Sequence, residues 1–394
     1  MPTTPQHSTP DDALAVSYAD RVTALGVGIF TGIPTILWGG SGIGKTKVCQ
    51  SIAGQLGAHQ ETVLLSASDT TDFSGMPTVN PQTGEVNYSA TPWVKRVMDA
   101  DRNGMASLVL WDEYSLGSPA VQGASLYPLL ENKVGDTILP PETRHVAAAN
   151  PADMSAGGFD LVPPAANRFL HLDWRMPSDV WIDGMLFGFP EVAIPDVSDE
   201  AIARAMGEVK VLVTSFIRAR SDLLHVQPDT ITHDNVAFPS PRTWENVIRL
   251  LAVAKAAGCN DMVINLLVLG SVGSAAGGEF LTYVENLDLP DPEAIIADPD
   301  SLGSLVDLRR GDKIFATCGS LMNALANKND AQRWLAVGTA LAIIAEAGKS
   351  DIAVVFGSPW IQQFRPKNAA LSDARILTAL GPVLTEMGAL VKDK

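Results

Sequence analysis

Cysteine is scarce: Cys49, Cys259 and Cys318 are odd in number, far apart and without C-x-x-C spacing. That excludes a disulfide scaffold and a cysteine-based zinc site, and it fits a reducing compartment. The six histidines are scattered, and His145, inside an apolar strand-like run, reads as a satisfied core residue rather than a ligand. Basic residues are outnumbered, 28 against 44 acidic, for a formal net charge of −16 at pH 7. So acidic a surface repels a phosphate backbone and argues against a dedicated nucleic-acid binder, although a local basic lining is compatible with it. Bilayer-spanning runs are also missing. Met262–Gly278 and Trp334–Ala347 are broken by Asn265 and glycines or end too soon, and read as buried helices. Met1–Asp12 is polar with three prolines and has no apolar signal core. The expectation is a soluble, cytoplasmic chain with no membrane partner.

What is present is an ordinary globular balance, 46% hydrophobic and 18% charged over 394 residues, enough for two or three domains. Residues 1–14 read as a flexible tail. From 15 to 175 short β-prone apolar runs alternate with helical segments, the pattern of an α/β parallel sheet. Strands are expected at Pro34–Trp38, Thr62–Ser66, Ser107–Trp111 and His145–Ala149. Turn signals at Asn80-Pro81 and Thr83-Gly84 predict a hairpin within about 73–88, and a second is expected within about 134–144. Residues 176–260 read as helical, and 261–394 as a further helical region. Helices are predicted from Ser198 or Asp199, over Thr243–Ala257, and over Ala331–Ala347 with Asp330 as cap; the C-terminal segment carries helical spacing through Ile376, Leu380, Met387 and Leu390 with a kink at Pro382. Asp288–Pro299 reads as a proline-punctuated connector.

The strongest chemical signal is Gly39-Gly-Ser-Gly-Ile-Gly-Lys-Thr46, which satisfies G-x-x-x-x-G-K-[ST] between an apolar strand and a helix-prone segment. Glycines let the loop curl so that its N–H groups converge on phosphate oxygens at the positive end of the next helix. Gly39, Gly40, Ser41, Gly42, Ile43, Gly44, Lys45, Thr46 and Lys47 are therefore the candidate nucleotide contacts. Lys45 is expected to reach the β- and γ-phosphates, and the Thr46 hydroxyl to ligate Mg²⁺. A second signal is Ser107-Leu-Val-Leu-Trp-Asp-Glu113, a strand ending in two carboxylates. Asp112 is placed to hold Mg²⁺ through water, and Glu113 to orient and polarise the attacking water. A third is Arg144–Pro151, a strand ending in Asn150, whose amide suits a bridge between γ-phosphate and lytic water. Together these imply a P-loop NTPase: a three-layer αβα sandwich, then an all-α lid and a C-terminal helical region.

The order of motifs resembles the MoxR-type branch of AAA+ ATPases, the group with an insert in the second helix. The resemblance is close over Ala15–Trp174 and reaches about Ala257 through one further motif. It rests on the acidic pair leading through Asp112–Gln122 to Leu129-Leu130-Glu131, and on hairpins matching Phe73–Tyr88 and Val134–Arg144. Leu161–Phe169 matches a proline-rich segment ending in arginine and phenylalanine. The resemblance makes Arg168 an arginine finger acting on a neighbouring subunit's nucleotide, with Asn167 standing where the family commonly has Asp. Pro239–Trp244 looks like the second sensor, which implies that Arg242 touches the nucleotide of its own subunit. What the family implies is ATP hydrolysis with Mg²⁺ in a homo-oligomeric, hexameric ring. Its role there is chaperone-like, maturing protein complexes or inserting metal cofactors beside a von Willebrand factor A partner. No D-x-S-x-S signature of that partner is present, so the partner is expected as a separate chain. Two other readings stay open: a nucleic-acid motor of helicase or translocase type, and a nucleotide-binding scaffold or switch with little turnover. The net charge speaks against the first and Glu113 against the second.

Overall fold

The computed structural model describes residues 16–386 apart from 152, 153, 155, 156, 190, 193, 368 and 372. The expected tail, 1–14, and the final positions 387–394, including Met387 and Leu390, lie outside the described residues. Two compact units are present, Met1–Asp196 with His225–Gly277, and Val197–Leu224 with Gly278–Lys394.

In chain order the first unit opens with α1 (Tyr18–Thr31), β1 (Thr35–Trp38), α2 (Lys45–Gln55), β2 (His59–Leu64) and α3 (Thr71–Ser74). A hairpin of β3 (Met76–Val79) and β4 (Val86–Ser89) follows, then α4 (Pro92–Arg102), β5 (Ser107–Asp112) and α5 (Pro119–Glu131). A shorter hairpin, β6 (Lys133–Val134) and β7 (Thr137–Ile138), leads to β8 (Arg144–Ala149), α6 (Pro163–Ala166), β9 (Leu170–Asp173) and α7 (Ser178–Phe187). The chain then passes through α8 (Asp199–Ala219) of the other unit and returns with α9 (Pro241–Ala256), which Ser240 caps in a reciprocal box with Thr243.

Five parallel strands form one sheet in the order β2-β5-β8-β1-β9. Every residue of β1 is buried, as a strand covered on both faces requires. Ile36 and Trp38 join Val109, Trp111, Ala147 and Ala149 in a core closed by Trp93, Val94 and Val97 of α4 and by Val121 and Leu129 of α5. Their neighbours Leu37, Leu110 and Val146 are equally buried and point to the opposite face, where α1 and α2 pack. The result is a three-layer αβα sandwich. Because the strands are parallel, their C-terminal ends share one edge, and whatever follows β1, β5 and β8 is gathered there.

Three expected strands appear within a residue of their predicted bounds. β2 begins earlier, at His59, because the polar Glu61 belongs to it: Glu61 is buried and accepts from Arg96 of α4 at 2.8 and 2.7 Å. β9 was not among the expected strands. Its sequence, Leu-His-Leu-Asp, is short and half polar, and it pairs in register with β1, Thr35 opposite Leu170 and Trp38 opposite Asp173.

Two buried histidines are held in the same way. His171 Nδ1 accepts from Trp38 Nε1 at 3.0 Å while its Nε2–H donates to the Ala166 carbonyl at 2.8 Å. His145 Nδ1 accepts from Trp111 Nε1 at 3.2 Å while its Nε2–H donates to Asn132 Oδ1 at 2.9 Å. An indole N–H occupies the only nitrogen a second proton could take, so both rings are neutral. Burial, helped for His145 by Arg144 and for His171 by His233, brings their pKa values from 6.5 to about 3 and about 4. The unfolded chain therefore binds protons at these sites below its ordinary histidine pKa, where the folded chain does not. Their stabilising contribution is complete above that pKa and is lost as pH falls toward the folded values. At about 1.4 kcal/mol per unit, the two histidines are worth at most on the order of 3–5 kcal/mol each. The urea midpoint is expected to be flat from about pH 8 to 7 and to fall steeply between about 6.5 and 4.5. An unchanged midpoint at the lower value contradicts the neutral assignment.

The stretch α10 (Asp261–Glu285) is the one helix among the described residues long and apolar enough to cross a membrane, with mean hydropathy 1.4 and half of that window buried. Gly273 breaks it, with φ 80° and ψ 165°, where any Cβ would collide with the Ala237 carbonyl.

The second unit contains α8, capped by Ser198, with α11 (Pro292–Ala297), α12 (Leu302–Leu305), α13 (Gly311–Asn327), α14 (Ala331–Glu346), α15 (Ser350–Gln362) and α16 (Ala374–Glu386). At its centre Trp334 and Trp360 stack with centroids 4.5 Å apart, each indole N–H donating to the other's carbonyl at 3.0 and 2.8 Å. The expected connector 288–299 contains α11: Asp291 caps it, Pro292 takes the first helical position, and Ile295 and Ile296 are buried.

Candidate functional site

The loop after β1 turns at Gly42 and Gly44, both at positive φ, 79° and 89°. Gly39 is needed for closeness rather than conformation, since a Cβ there would sit 2.6 Å from the Trp174 carbonyl oxygen. Lys45 opens α2. Its ammonium donates to the Gly39 and Gly40 carbonyls at 2.6 and 2.9 Å and to Asn150 Oδ1 at 2.8 Å. Burial lowers the Lys45 pKa, and the carboxylate of Asp112 works against that shift.

The Thr46 hydroxyl donates to Asp112 Oδ2 at 3.1 Å, which joins the loop to the end of β5. Next in the chain, Glu113 stands in the left-handed region, φ 53° and ψ 40°, with its own N–H on Asp112 Oδ1 at 2.9 Å. A non-glycine residue there carries a conformational cost of roughly 1 kcal/mol or more, and such costs concentrate at functional sites. The turn aims the Glu113 carboxylate toward the helical turn Leu65–Ala67 that follows β2, where the Ser66 hydroxyl donates to it. Asn150 completes the group. It follows β8, which lies between β1 and β5, and its Nδ2 donates to Ser41 Oγ at 3.1 Å.

Lys45, Thr46, Asp112, Glu113 and Asn150 are thus brought together around one cavity of about 310 Å³, also lined by Ser41–Gly44 and Lys47. The fold is that of a P-loop nucleotide-binding sandwich. A second cavity of about 570 Å³ continues from Gly42–Gly44 and Lys47 and is walled by Tyr18, Val48, Met176, Trp181, Met185, Phe189 and Val192. A polar cradle beside an apolar, aromatic chamber suits a ligand with a polyphosphate tail and a flat ring.

Arg168 and Arg242 are not at this cavity. The register of β9 puts Leu170 beside Thr35, at the start of β1, so Arg168 lies at the sheet edge opposite the phosphate loop. Its Nη1 donates to the Pro164 carbonyl at 2.8 Å. Arg242 Nη1 donates to Asn167 Oδ1 at 3.4 Å, beside Arg168.

The sequence reading passed over several residues of this site. Ser115 is buried, and its hydroxyl both donates to the Asn150 carbonyl at 3.0 Å and accepts from the Asn150 N–H at 3.2 Å. Ser66 and the aromatic wall of Tyr18, Trp181 and Phe189 were missed as well. Single hydroxyls have no spacing signature; the run Trp181–Phe189, apolar yet following the sheet, was the only available hint. Removing the Ser115 hydroxyl leaves two backbone groups of Asn150 unpaired. Ser115→Ala is expected to cost about 1–3 kcal/mol of stability and to slow turnover more than it weakens nucleotide binding, read from melting curves and steady-state rates.

No family model matches this chain, and no curated protein matches it. Among solved structures it is similar to the crystal structure of a "putative ATPase" from Cytophaga hutchinsonii, 18% identical over 68% of this chain and 83% of that one, with a TM-score of 0.37. So loose a likeness assigns neither family nor activity to this chain, and the fold rests on the strand order and loop geometry above.

Proposed function

We propose that the chain is an ATPase of the AAA+ kind, resembling the MoxR branch, which hydrolyses ATP as a subunit of a homo-oligomeric ring and remodels a protein client. One observation carries this: a glycine loop with its lysine, a threonine–aspartate pair, a glutamate and an asparagine meet at one sheet edge, gathered from the ends of the three strands β1, β5 and β8.

Thr46 Oγ1 and Asp112 Oδ2 are hard oxygen donors already within 3.1 Å of each other. They fit Mg²⁺, which takes few protein ligands and completes its shell with water and phosphate oxygens. Among the described residues no cluster of three or more His, Cys, Asp or Glu side chains forms an all-protein metal cage. When bound, the ion neutralises charge on the β- and γ-phosphates. The chain's own groups do the rest. The loop N–H groups and Lys45 hold the polyphosphate, Asn150 steadies its terminal group, and Glu113 orients a water. The water oxygen bonds to the γ-phosphorus as the bond to the bridging oxygen breaks; that electron pair leaves with ADP, and the water's proton passes to Glu113 and on to solvent.

Protein rather than nucleic acid is the client that the surface favours. The β3–β4 ribbon exposes Met76, Val79, Val86 and Tyr88, and Ile138 of the second hairpin is exposed too. Tyr88 N–H donates to Asp136 at 3.0 Å, so the two hairpins are tied together. An apolar ridge on an acidic chain suits a polypeptide and repels a phosphate backbone. The family resemblance adds a separate von Willebrand factor A-domain protein as partner.

The test is phosphate release from Mg-ATP, with and without DNA and across protein concentrations. Turnover per chain is expected to rise with concentration as rings assemble and to ignore DNA. Strong, salt-sensitive stimulation by DNA would overturn the client assignment, and the absence of turnover at every concentration would overturn the ATPase reading.

A further inference from the structure

The aromatic chamber beside the phosphate loop, about 570 Å³, holds few groups able to tell one base from another. Its wall is made by Tyr18, Val48, Met176, Trp181, Met185 and Phe189, with Ser51 and Lys47 on its exposed side. Among the described residues no aspartate, glutamate, asparagine or glutamine lines it. That matters because adenine and guanine differ in the hydrogen-bond pattern of one ring edge. Adenine offers an amino group beside an acceptor nitrogen; guanine offers a carbonyl beside an N–H and an amino group. A carboxylate or an amide in a set orientation matches one of these patterns and rejects the other.

The main chain supplies little more. Val192 N–H donates to Gln55 Oε1 at 3.1 Å, and the Val192 carbonyl accepts from Ile194 N–H at 3.0 Å. In the segment leading into Tyr18, Arg21 Nη1 donates to the Val16 and Ser17 carbonyls at 2.5 and 3.3 Å, and Ser17 N–H donates to Asp20 at 3.1 Å. Two hydroxyls on the wall, those of Tyr18 and Ser51, have no partner among the described residues. Tyr18 is 8% exposed, and its ring stands edge-on to Trp174 with centroids 5.5 Å apart. A hydroxyl turns to donate or to accept as its partner requires, so it pairs with either purine and selects neither. Phe189 packs on Gly184 of α7, where any Cβ would sit 2.3 Å from the ring. A base lodged among such aromatic and thioether side chains is held by its faces, and all purines present similar faces.

We propose that the chamber takes purine nucleoside triphosphates without choosing between them, so that GTP is a substrate alongside ATP. This rests on the ATPase reading above and widens its substrate class. The phosphate loop, Lys45 and the Thr46–Asp112 pair meet a triphosphate tail common to both nucleotides. The reaction is the same at that tail: water oxygen bonds to the γ-phosphorus, the bond to the bridging oxygen breaks, and GDP leaves in place of ADP. Selection then falls to ring size and stacking. Apolar walls turn such differences into about 10²-fold at most, whereas fixed hydrogen-bond partners reach about 10⁴- to 10⁵-fold. Adenine and guanine share the same two fused rings and differ less than that limit; a pyrimidine, with one ring, gives up stacking surface.

Phosphate release from the wild-type chain with Mg-ATP, Mg-GTP and Mg-CTP tests it. The kcat/KM for GTP is expected within about tenfold of that for ATP, and CTP about tenfold or more below both. A preference beyond about tenfold between ATP and GTP, in either direction, overturns the proposal and leaves the ATPase reading intact. CTP turned over as well as the purines would show that the chamber does not hold the base, and overturns it too. Trp181→Ala and Phe189→Ala remove aromatic walls at half-exposed positions, so melting curves are expected to be unchanged. Each variant is expected to raise KM for ATP and GTP by the same factor, about tenfold. A loss confined to one nucleotide, or no loss with either, contradicts the proposal. Trp181→Phe keeps a flat ring and is expected to recover most of the affinity, which separates stacking from a folding defect. If no nucleotide is turned over, the ATPase reading fails; equilibrium titration with fluorescent ATP and GTP analogues then decides the purine question alone, by the same tenfold limit.

Discussion

Glu113→Gln is expected to lower turnover by about 10²- to 10⁴-fold while leaving nucleotide affinity unchanged or slightly tighter. The substitution is nearly isosteric, so the local fold has no reason to move. The Ser66 hydroxyl that donates to the carboxylate can donate equally to a glutamine Oε1. The left-handed turn at position 113, held by the N–H on Asp112 Oδ1, costs the same with either side chain. What disappears is the charge that polarises water and the base that accepts its proton. Removing a negative charge beside the phosphate cavity also relieves repulsion of an anionic ligand, hence affinity that is equal or better. Steady-state phosphate release together with equilibrium titration of nucleotide separates the two effects. A glutamine variant that turns over at the wild-type rate would remove Glu113 from the mechanism and return the chain to the switch reading. Ser66→Ala makes a graded companion, because the carboxylate keeps its charge and loses only its tether.

The residues that serve this chemistry were legible to different degrees, and the physics of strands explains why. A strand buried on both faces reads as an unbroken apolar run, and in a parallel sheet the residues just past such runs meet at one edge. Gly39–Thr46, Asp112-Glu113 and Asn150 could therefore be placed together from sequence alone. β9 was invisible because its signal is pairing rather than composition: His171 is tolerable in a core only once Trp38 and the Ala166 carbonyl satisfy both ring nitrogens. The early start of β2 was hidden for a related reason, since Glu61 looks like a surface residue until Arg96 binds it. Ser115 could not be found by pattern, because one serine that bonds both backbone groups of Asn150 leaves no periodic trace. Arg242 exposes the limit of motif order. Its helix and cap were readable, but the edge of the sheet at which that helix begins is set by the path of 233–240 along β9, a tertiary fact. The discontinuous units are another, because Val197–Leu224 joins Gly278–Lys394 across an intervening segment.

Lys45→Ala is expected to abolish turnover and weaken ATP binding about 100-fold, yet to leave the chain folded. The ammonium sits at the first position of α2 with its charge partly desolvated, so its pKa is lowered by burial despite the attraction of Asp112. A group held in that condition contributes little to folding, because the cost of desolvation offsets the three hydrogen bonds to Gly39, Gly40 and Asn150. Toward a polyphosphate the balance reverses. Charge-assisted hydrogen bonds to phosphate are worth about 1.5–3 kcal/mol each, and the upper part of that range corresponds to roughly 100-fold in affinity. Thermal melting distinguishes these contributions in one experiment. At ATP near 100 times the wild-type Kd, binding stabilises the native chain by about 2.7 kcal/mol; the alanine variant, at the same ATP, retains only about 0.4 kcal/mol. Without nucleotide the two proteins should melt within a few degrees of each other. A large drop in the nucleotide-free melting temperature would make Lys45 a structural residue. An undiminished upward shift with ATP would show that the phosphates are gripped elsewhere, and the assignments of Thr46, Asp112 and Glu113 would fall with it.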